Sequence, residues 1–235
     1  RYAAIGMSLL LLSLLAGVVS TSVALAEART EAQRQSRTLA AMRDLLGSID
    51  PWHLKGADYS ARALIDDFAR GIDAACGGDD VGARDLHATV GTAYRNLGEL
   101  DKSRHHLGRA LQLCERTGAA DLLARVQLDW SWLQRELGDY AEAERFADLV
   151  LRRVETRGGG VGMRLSALTH KADICRVRGE VDECERHARR ALELYGSSGE
   201  GDVPHVDIAT VHDLLGSVAS ARGHYPQALE HYRQG

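Results

Sequence analysis

Aromatic side chains are scarce: the 235 residues hold two Phe (Phe68 and Phe146), three Trp and seven Tyr. A core must therefore be built from Leu, Ala and Val, which suits closely packed helices rather than a sandwich. Proline is confined to Pro51, Pro204 and Pro226, so long stretches carry no helix breaker. There is no basic excess either. The net charge is -4, and nucleic acid is not a suggested partner. Lysine is nearly missing from the 29 basic residues, standing only at Lys55, Lys102 and Lys171. With so much Ala and Gly, that bias points to a GC-rich bacterial genome.

Four cysteines, Cys76, Cys114, Cys175 and Cys184, show no Cys-x-x-Cys and no metal-site spacing. The chain also lacks a Gly-rich phosphate loop ending in Lys-Ser/Thr, a His-Glu-x-x-His and a Gly-x-Ser-x-Gly. Gly158-Gly159-Gly160-Val161-Gly162 follows a helical stretch and has no lysine, so it reads as a connector. His105 and His106 are adjacent and diverge around a helix, which reads as an exposed pair and not a metal site. No catalytic residue, metal ligand or cofactor site is nominated.

One long uncharged run is present. From Tyr2 to Ala26 there is no charge, with Leu9-Leu10-Leu11-Leu12 and Leu14-Leu15 at its centre. Roughly 20 apolar residues span a bilayer as a helix, so residues 1–26 read as a transmembrane helix. The rival reading is a secretory signal peptide, because Ala24-Leu25-Ala26 before Glu27 has the small-x-small form of a cleavage site. Signal-peptide cores are shorter, about 7–15 residues. Arg29, Arg34, Arg37 and Arg43 follow the run and by themselves place that side in the cytoplasm. The chain begins at Arg1 and ends at Gly235 without a polar capping helix, as a segment of a longer protein would.

Residues 27–58 form a juxtamembrane helix and linker, broken by Asp50-Pro51 and Gly56. Residues 59–81 hold an N-terminal covering helix, whose apolar Ala61, Leu64, Ile65, Phe68, Ala69 and Ile72 keep helical spacing. Residues 82–235 are organised by a turn that occurs four times: Leu97-Gly98-Glu99-Leu100, Leu137-Gly138-Asp139-Tyr140, Arg178-Gly179-Glu180-Val181 and Arg222-Gly223-His224-Tyr225. Each glycine should end one helix in a left-handed conformation before the next begins. Hairpins follow at Gly82–Arg116, Ala119–Glu155 and Gly162–Tyr195, with a fourth, truncated one from near His205.

The same registers carry small residues on both helices. Seven before the turn glycine stand Gly91, Ser131, Ala172 and Gly216; five after it, Ser103, Ala143, Cys184 and Ala228. Facing positions of that size let two antiparallel backbones approach. Ala110, Val150 and Ala191 repeat the pattern twelve after the glycine. Leu100, Tyr140, Val181 and Tyr225 supply a large group near each turn. Cys175 and Cys184 come to similar heights on facing helices, leaving a disulfide or two small core residues as alternatives.

This pattern resembles the tetratricopeptide repeat. Leu86, Gly91, Tyr94, Leu97-Gly98, Leu107 and Ala110 carry it in the first unit; Gly216, Gly223, Tyr225, Ala228 and Tyr232 carry it in the fourth. The second departs with Ser131 and Gln134, and the glycine spacings of 40, 41 and 44 exceed the family's usual 34. The resemblance implies an all-α fold, a right-handed α-solenoid of antiparallel helical hairpins, here preceded by a transmembrane helix. It also implies a concave face lined by the first helix of each hairpin, where Arg95, Arg135 and Arg176 stand three residues before their glycines, beside Asn96, Trp132 and Asp173. This strip is the candidate ligand-binding site, for a protein or peptide segment that is acidic or bears a C-terminal carboxylate, because arginine forks pair carboxylates. Solvated helix-end charge is the alternative. The Lys/Asn clamp of chaperone-binding members is not matched, since Asp85, Ala88 and Thr92 stand there.

Chain order carries a second resemblance. A membrane span, an Ala/Arg-rich helix, an Asp-Pro linker and then Gly56-Ala57-Asp58-Tyr59-Ser60-Ala61-Arg62-Ala63-Leu64-Ile65-Asp66 lead into the repeats. This is similar to the non-catalytic region of bacterial transmembrane serine/threonine kinases that carry tetratricopeptide repeats. It implies a single-pass membrane protein with an extracytoplasmic array that senses or scaffolds, and no catalysis in this chain. The alternative is a signal-cleaved secreted or periplasmic adaptor with no kinase.

Overall fold

The structure, a computed structural model, describes residues 61–157, 160–198 and 205–235. Among them are nine helices and no strand: α1 (Ala61–Cys76), α2 (Asp80–Asn96), α3 (Leu100–Thr117), α4 (Ala120–Glu136), α5 (Tyr140–Arg157), α6 (Val161–Arg178), α7 (Val181–Ser198), α8 (His205–Ala221) and α9 (Tyr225–Gln234). The uncharged run of residues 2–26 and the linker of residues 27–58 lie outside the described residues. Within them no helix is long and apolar enough to cross a membrane.

The chain divides into two compact units, Arg1–Leu86 and His87–Gly235, with the boundary inside α2. In the first, α1 is the amphipathic helix expected from its spacing. It stops at Gly77 and Gly78, which take φ of 54° and 86°, and Ile72, Ala83 and Leu86 are buried.

The second unit is a tetratricopeptide-like solenoid of helical hairpins, whose helices fall within three residues of the bounds read from the sequence. Gly98, Gly138, Gly179 and Gly223 have φ between 74° and 82°, which an L side chain adopts only with strain. The turn closes identically each time. Glu99, Asp139, Glu180 and His224 donate their backbone N–H to the carbonyl five residues back, at 2.9 Å in every case. The glycine N–H donates to the carbonyl of Arg95, Arg135, Arg176 or Ser220. These two bonds satisfy carbonyls that a helix end leaves open. They also fix the residue three before each glycine to the same place on its hairpin.

Packing follows the small-residue register. Gly91, Ser131, Ala172 and Gly216 are buried, as are Ser103, Ala143, Cys184 and Ala228. A Cβ at Gly91 would meet Leu107 at 2.7–2.9 Å, and one at Gly216 would meet the Tyr232 ring at 2.6–2.9 Å. Cores bridge successive hairpins: Leu165, Leu168 and Ala172 of α6, Ala188 and Ala191 of α7 and Val211, Leu214 and Val218 of α8 form one cluster. The large group near the turn is half-buried at Leu100, Tyr140 and Val181. Tyr225 departs from that expectation with 68% exposure. Cys175 and Cys184 are buried free thiols inside this core, so of the two alternatives the structure has the small core residues. Burial pushes both up to about 11, and thiols so disposed are poor nucleophiles.

Candidate functional site

The strip is built by the first helices α2, α4, α6 and α8. Because the turn bonds hold Arg95, Arg135 and Arg176 by their own carbonyls, the three guanidiniums leave their helices at one height. They do not stand as open forks. Arg95 Nη1 lies 3.2 Å from Glu136 Oε1, and its Nη2 lies 3.9 Å from Asp129 Oδ1, both on α4. Arg135 Nε lies 3.1 Å from Asp173 Oδ2 on α6. Each arginine thus reaches an acid on the first helix of the following hairpin.

Arg176 breaks the series. Its Nε and Nη2 turn back to Asp173 Oδ1 on the same helix, at 2.9 and 2.6 Å. Asp173, 7% exposed, therefore lies between two guanidiniums. Thr92 donates to Asp129 Oδ2 at 3.1 Å. Burial raises the Asp129 carboxyl above the usual carboxylate range, opposed by Arg95, the Thr92 hydroxyl and Arg125.

Trp132 is half-buried between Arg135, whose guanidinium carbon lies 5.2 Å from the ring centroid, and the His170 ring at 3.8 Å. Its other neighbours are apolar: Leu128, Val150, Val154, Ala167 and Met163 belong to the same cluster. Asn96 is exposed at the end of α2. Of the six residues singled out from the sequence, five join in ion pairs or ring contacts along the strip, and Asn96 stands beside it.

A family model for the tetratricopeptide repeat matches residues 84–156 and 163–235, more than half of the chain. The chain belongs to the tetratricopeptide repeat family. Two matched stretches hold two hairpins each. Among solved structures, BtubC (BKLC) from P. vanneervenii is similar at TM-score 0.62 and 17% identity, over 86% of this chain and 87% of that one. A putative kinesin light chain from P. anserina with nearly identical TPR-like repeats is similar at TM-score 0.59 and 12% identity, over 86% and 92%. At such identities the likeness is one of fold. A search among curated proteins finds no match.

Tetratricopeptide repeats act through protein contacts, and the described residues hold no cluster of three His, Cys, Asp or Glu able to bind a metal ion. Two features were not foreseen in the sequence. The first is His170, fully buried, whose Nε2 lies 2.8 Å from Ser131 Oγ while that hydroxyl donates to the Ala143 carbonyl. The serine proton is used, so His170 donates from Nε2 and Nδ1 carries the lone pair. This Ser–His contact is not a nucleophile pair: Ser131 is 0% exposed and its hydroxyl is committed to a backbone carbonyl.

The second is a histidine pair. His106 is not exposed as its neighbour His105 is; it is buried, with Nδ1 2.8 Å from His87 Nδ1. His212 and His231 repeat the arrangement in the fourth hairpin, with Nδ1 atoms 3.4 Å apart. Both pairs occupy the same register, eleven before and eight after the turn glycine, where the second hairpin has Gln127 and Phe146. Reading the two helices against one another at that register would have found them.

Proposed function

We propose that the array is a protein–protein interaction module whose inner strip takes an acidic peptide segment, held at a membrane through residues 2–26. In this reading it is the extracytoplasmic, non-catalytic region of a bacterial transmembrane serine/threonine kinase, and it senses or scaffolds rather than catalyses. The observation that carries the binding function is the arginine series Arg95, Arg135 and Arg176 at one height on successive first helices. Arginine pairs carboxylates with two parallel N–H donors, which gives geometry as well as attraction. Supporting the tether is the absence of charge from Tyr2 to Ala26. Supporting the kinase is the order of span, Ala/Arg-rich helix, Asp-Pro linker and repeats. A secreted adaptor is the second reading, favoured by Ala24-Leu25-Ala26 before Glu27.

Binding is tested with the full chain and amidated, Glu-rich fluorescent peptides in an anisotropy titration. Arg135→Glu places an acid beside Asp173 and weakens the complex about tenfold or more, as loss of a charge-assisted pair does. Equal affinity of the variant and the parent would remove the strip as the binding surface.

A further inference from the structure

The strip's ion pairs follow a rule that fails at one place. An arginine three residues before the turn glycine pairs with an acid on the next first helix: Arg95 with Glu136 and Asp129, Arg135 with Asp173. Arg176 has the corresponding positions of α8 before it. Counting from Gly223, those that match Asp129, Asp173 and Glu136 are Leu214, Ser217 and Ala221. None carries a charge. Arg176 therefore falls back on Asp173, which Arg135 already uses. One carboxylate serves two guanidiniums, and among the described residues no acid of α8 stands at the positions that answer Arg95 and Arg135 on α4 and α6. The Arg176 side chain is also the most open of the three, 43% exposed against 16% for Arg95 and 22% for Arg135.

We infer that Arg176, with the neutral Ser217 on α8 at the register where Asp173 on α6 answers Arg135, forms a docking subsite for an aspartate or glutamate side chain of a bound peptide. The ligand's carboxylate supplies the rung that α8 lacks. A side-chain carboxylate is the group that Arg95 and Arg135 accept from the neighbouring helix, so the same reach and chemistry fit here. Ser217 and Ser220 are half-buried and small, which leaves room for it. Ser217 Oγ donates to the Asp213 carbonyl at 2.9 Å and lies 3.4 Å from Tyr232 Oη, so this side of the site is polar and uncharged. The Arg95 end differs, because Asp129 and Glu136 there answer Arg95 and Arg125. An acidic segment thus lies with its carboxylate toward the third and fourth hairpins, and it competes with Asp173 for Arg176.

This inference rests on the proposed peptide-binding function, and the experiment separates the two. The full chain is titrated with an amidated peptide bearing one internal Glu, with its Gln counterpart carrying a free C-terminus, and with a counterpart lacking both carboxylates. The Glu peptide is expected to bind most tightly and to weaken with added salt. R176Q is expected to weaken it about tenfold and R95Q by less, while R104Q on α3, outside the strip, leaves it nearly unchanged. S217D supplies the missing acid from α8 itself, so it pairs Arg176 internally and blocks the Glu peptide without loss of helical content. If R95Q weakens binding and R176Q does not, the subsite is wrong and the strip stands. If the Gln peptide with a free C-terminus binds more tightly than the Glu peptide, the side-chain assignment is overturned. If no carboxylate-bearing peptide binds better than the one lacking both, the peptide-binding reading itself fails.

Discussion

His170 titrates far below the ordinary imidazole range. Burial, and after it the Arg135 guanidinium, hold it down to about 3 from an ordinary 6.5. The folded protein therefore refuses a proton that the unfolded chain takes near pH 6.5. Its stabilising contribution is complete above that pH and is lost as pH falls toward 3, with a slope of about 1.4 kcal/mol per pH unit in between. His170→Gln can keep the bond to Ser131 without titrating. Urea midpoints at pH 7 and pH 5 should show the parent losing more stability than this variant, by about 1–2 kcal/mol; equal losses would contradict a buried neutral imidazole. The small residues facing across each hairpin were legible in the sequence because a turn glycine gives a fixed origin from which to count. His106 was legible by the same count, since His87 and His106 stand where His212 and His231 do. His170 was not: its partner Ser131 lies 39 residues away on another hairpin, and an isolated histidine on a helix carries no mark of such a partner.

At the scale of the element, the hairpin is specified twice, by its turn and by its small-residue contact. The left-handed glycine with its two backbone bonds decides where the first helix ends. Gly91 and Leu107 then decide how closely the second lies. A methyl at Gly91 has backbone and side-chain atoms of Leu107 within 2.9 Å, so neither helix yields without repacking. Gly91→Ala should destabilise by about 1–3 kcal/mol, as overpacking does, despite the higher helix propensity of alanine. Denaturant unfolding checks this, and a stabilised variant would mean that the two helices are not held at that approach. The turns were legible to within three residues because glycine, Leu or Arg before it and an acid or His after it recur together. The ion pairs were less so. A row of arginines could be read from register, but the acids that answer them stand at three different positions, nine, six and two before the glycine, and no single period reveals them.

At the scale of the array, successive hairpins are joined on two faces. Along the first helices run the arginine pairs already described. Elsewhere Arg178 of α6 meets Glu144 of α5 at 3.0 Å, and Arg222 meets Glu185 and Asp182 of α7 at 2.5 Å each. Exposed pairs of this kind contribute roughly 0–1 kcal/mol each, so the clusters that cross hairpins hold the stack and the charges set its register. The consequence for function is that an acidic partner meets a strip whose arginines are already engaged, except at Arg176, where two guanidiniums share one carboxylate.

The claim that the first helices form the binding surface is tested most directly by hydrogen–deuterium exchange of the full chain, with and without an amidated Glu-containing peptide. The account predicts slowed exchange in segments spanning residues 125–136, 166–176 and 212–221 on α4, α6 and α8, with α5 and α7 unchanged. Protection confined to α5 and α7 would contradict it.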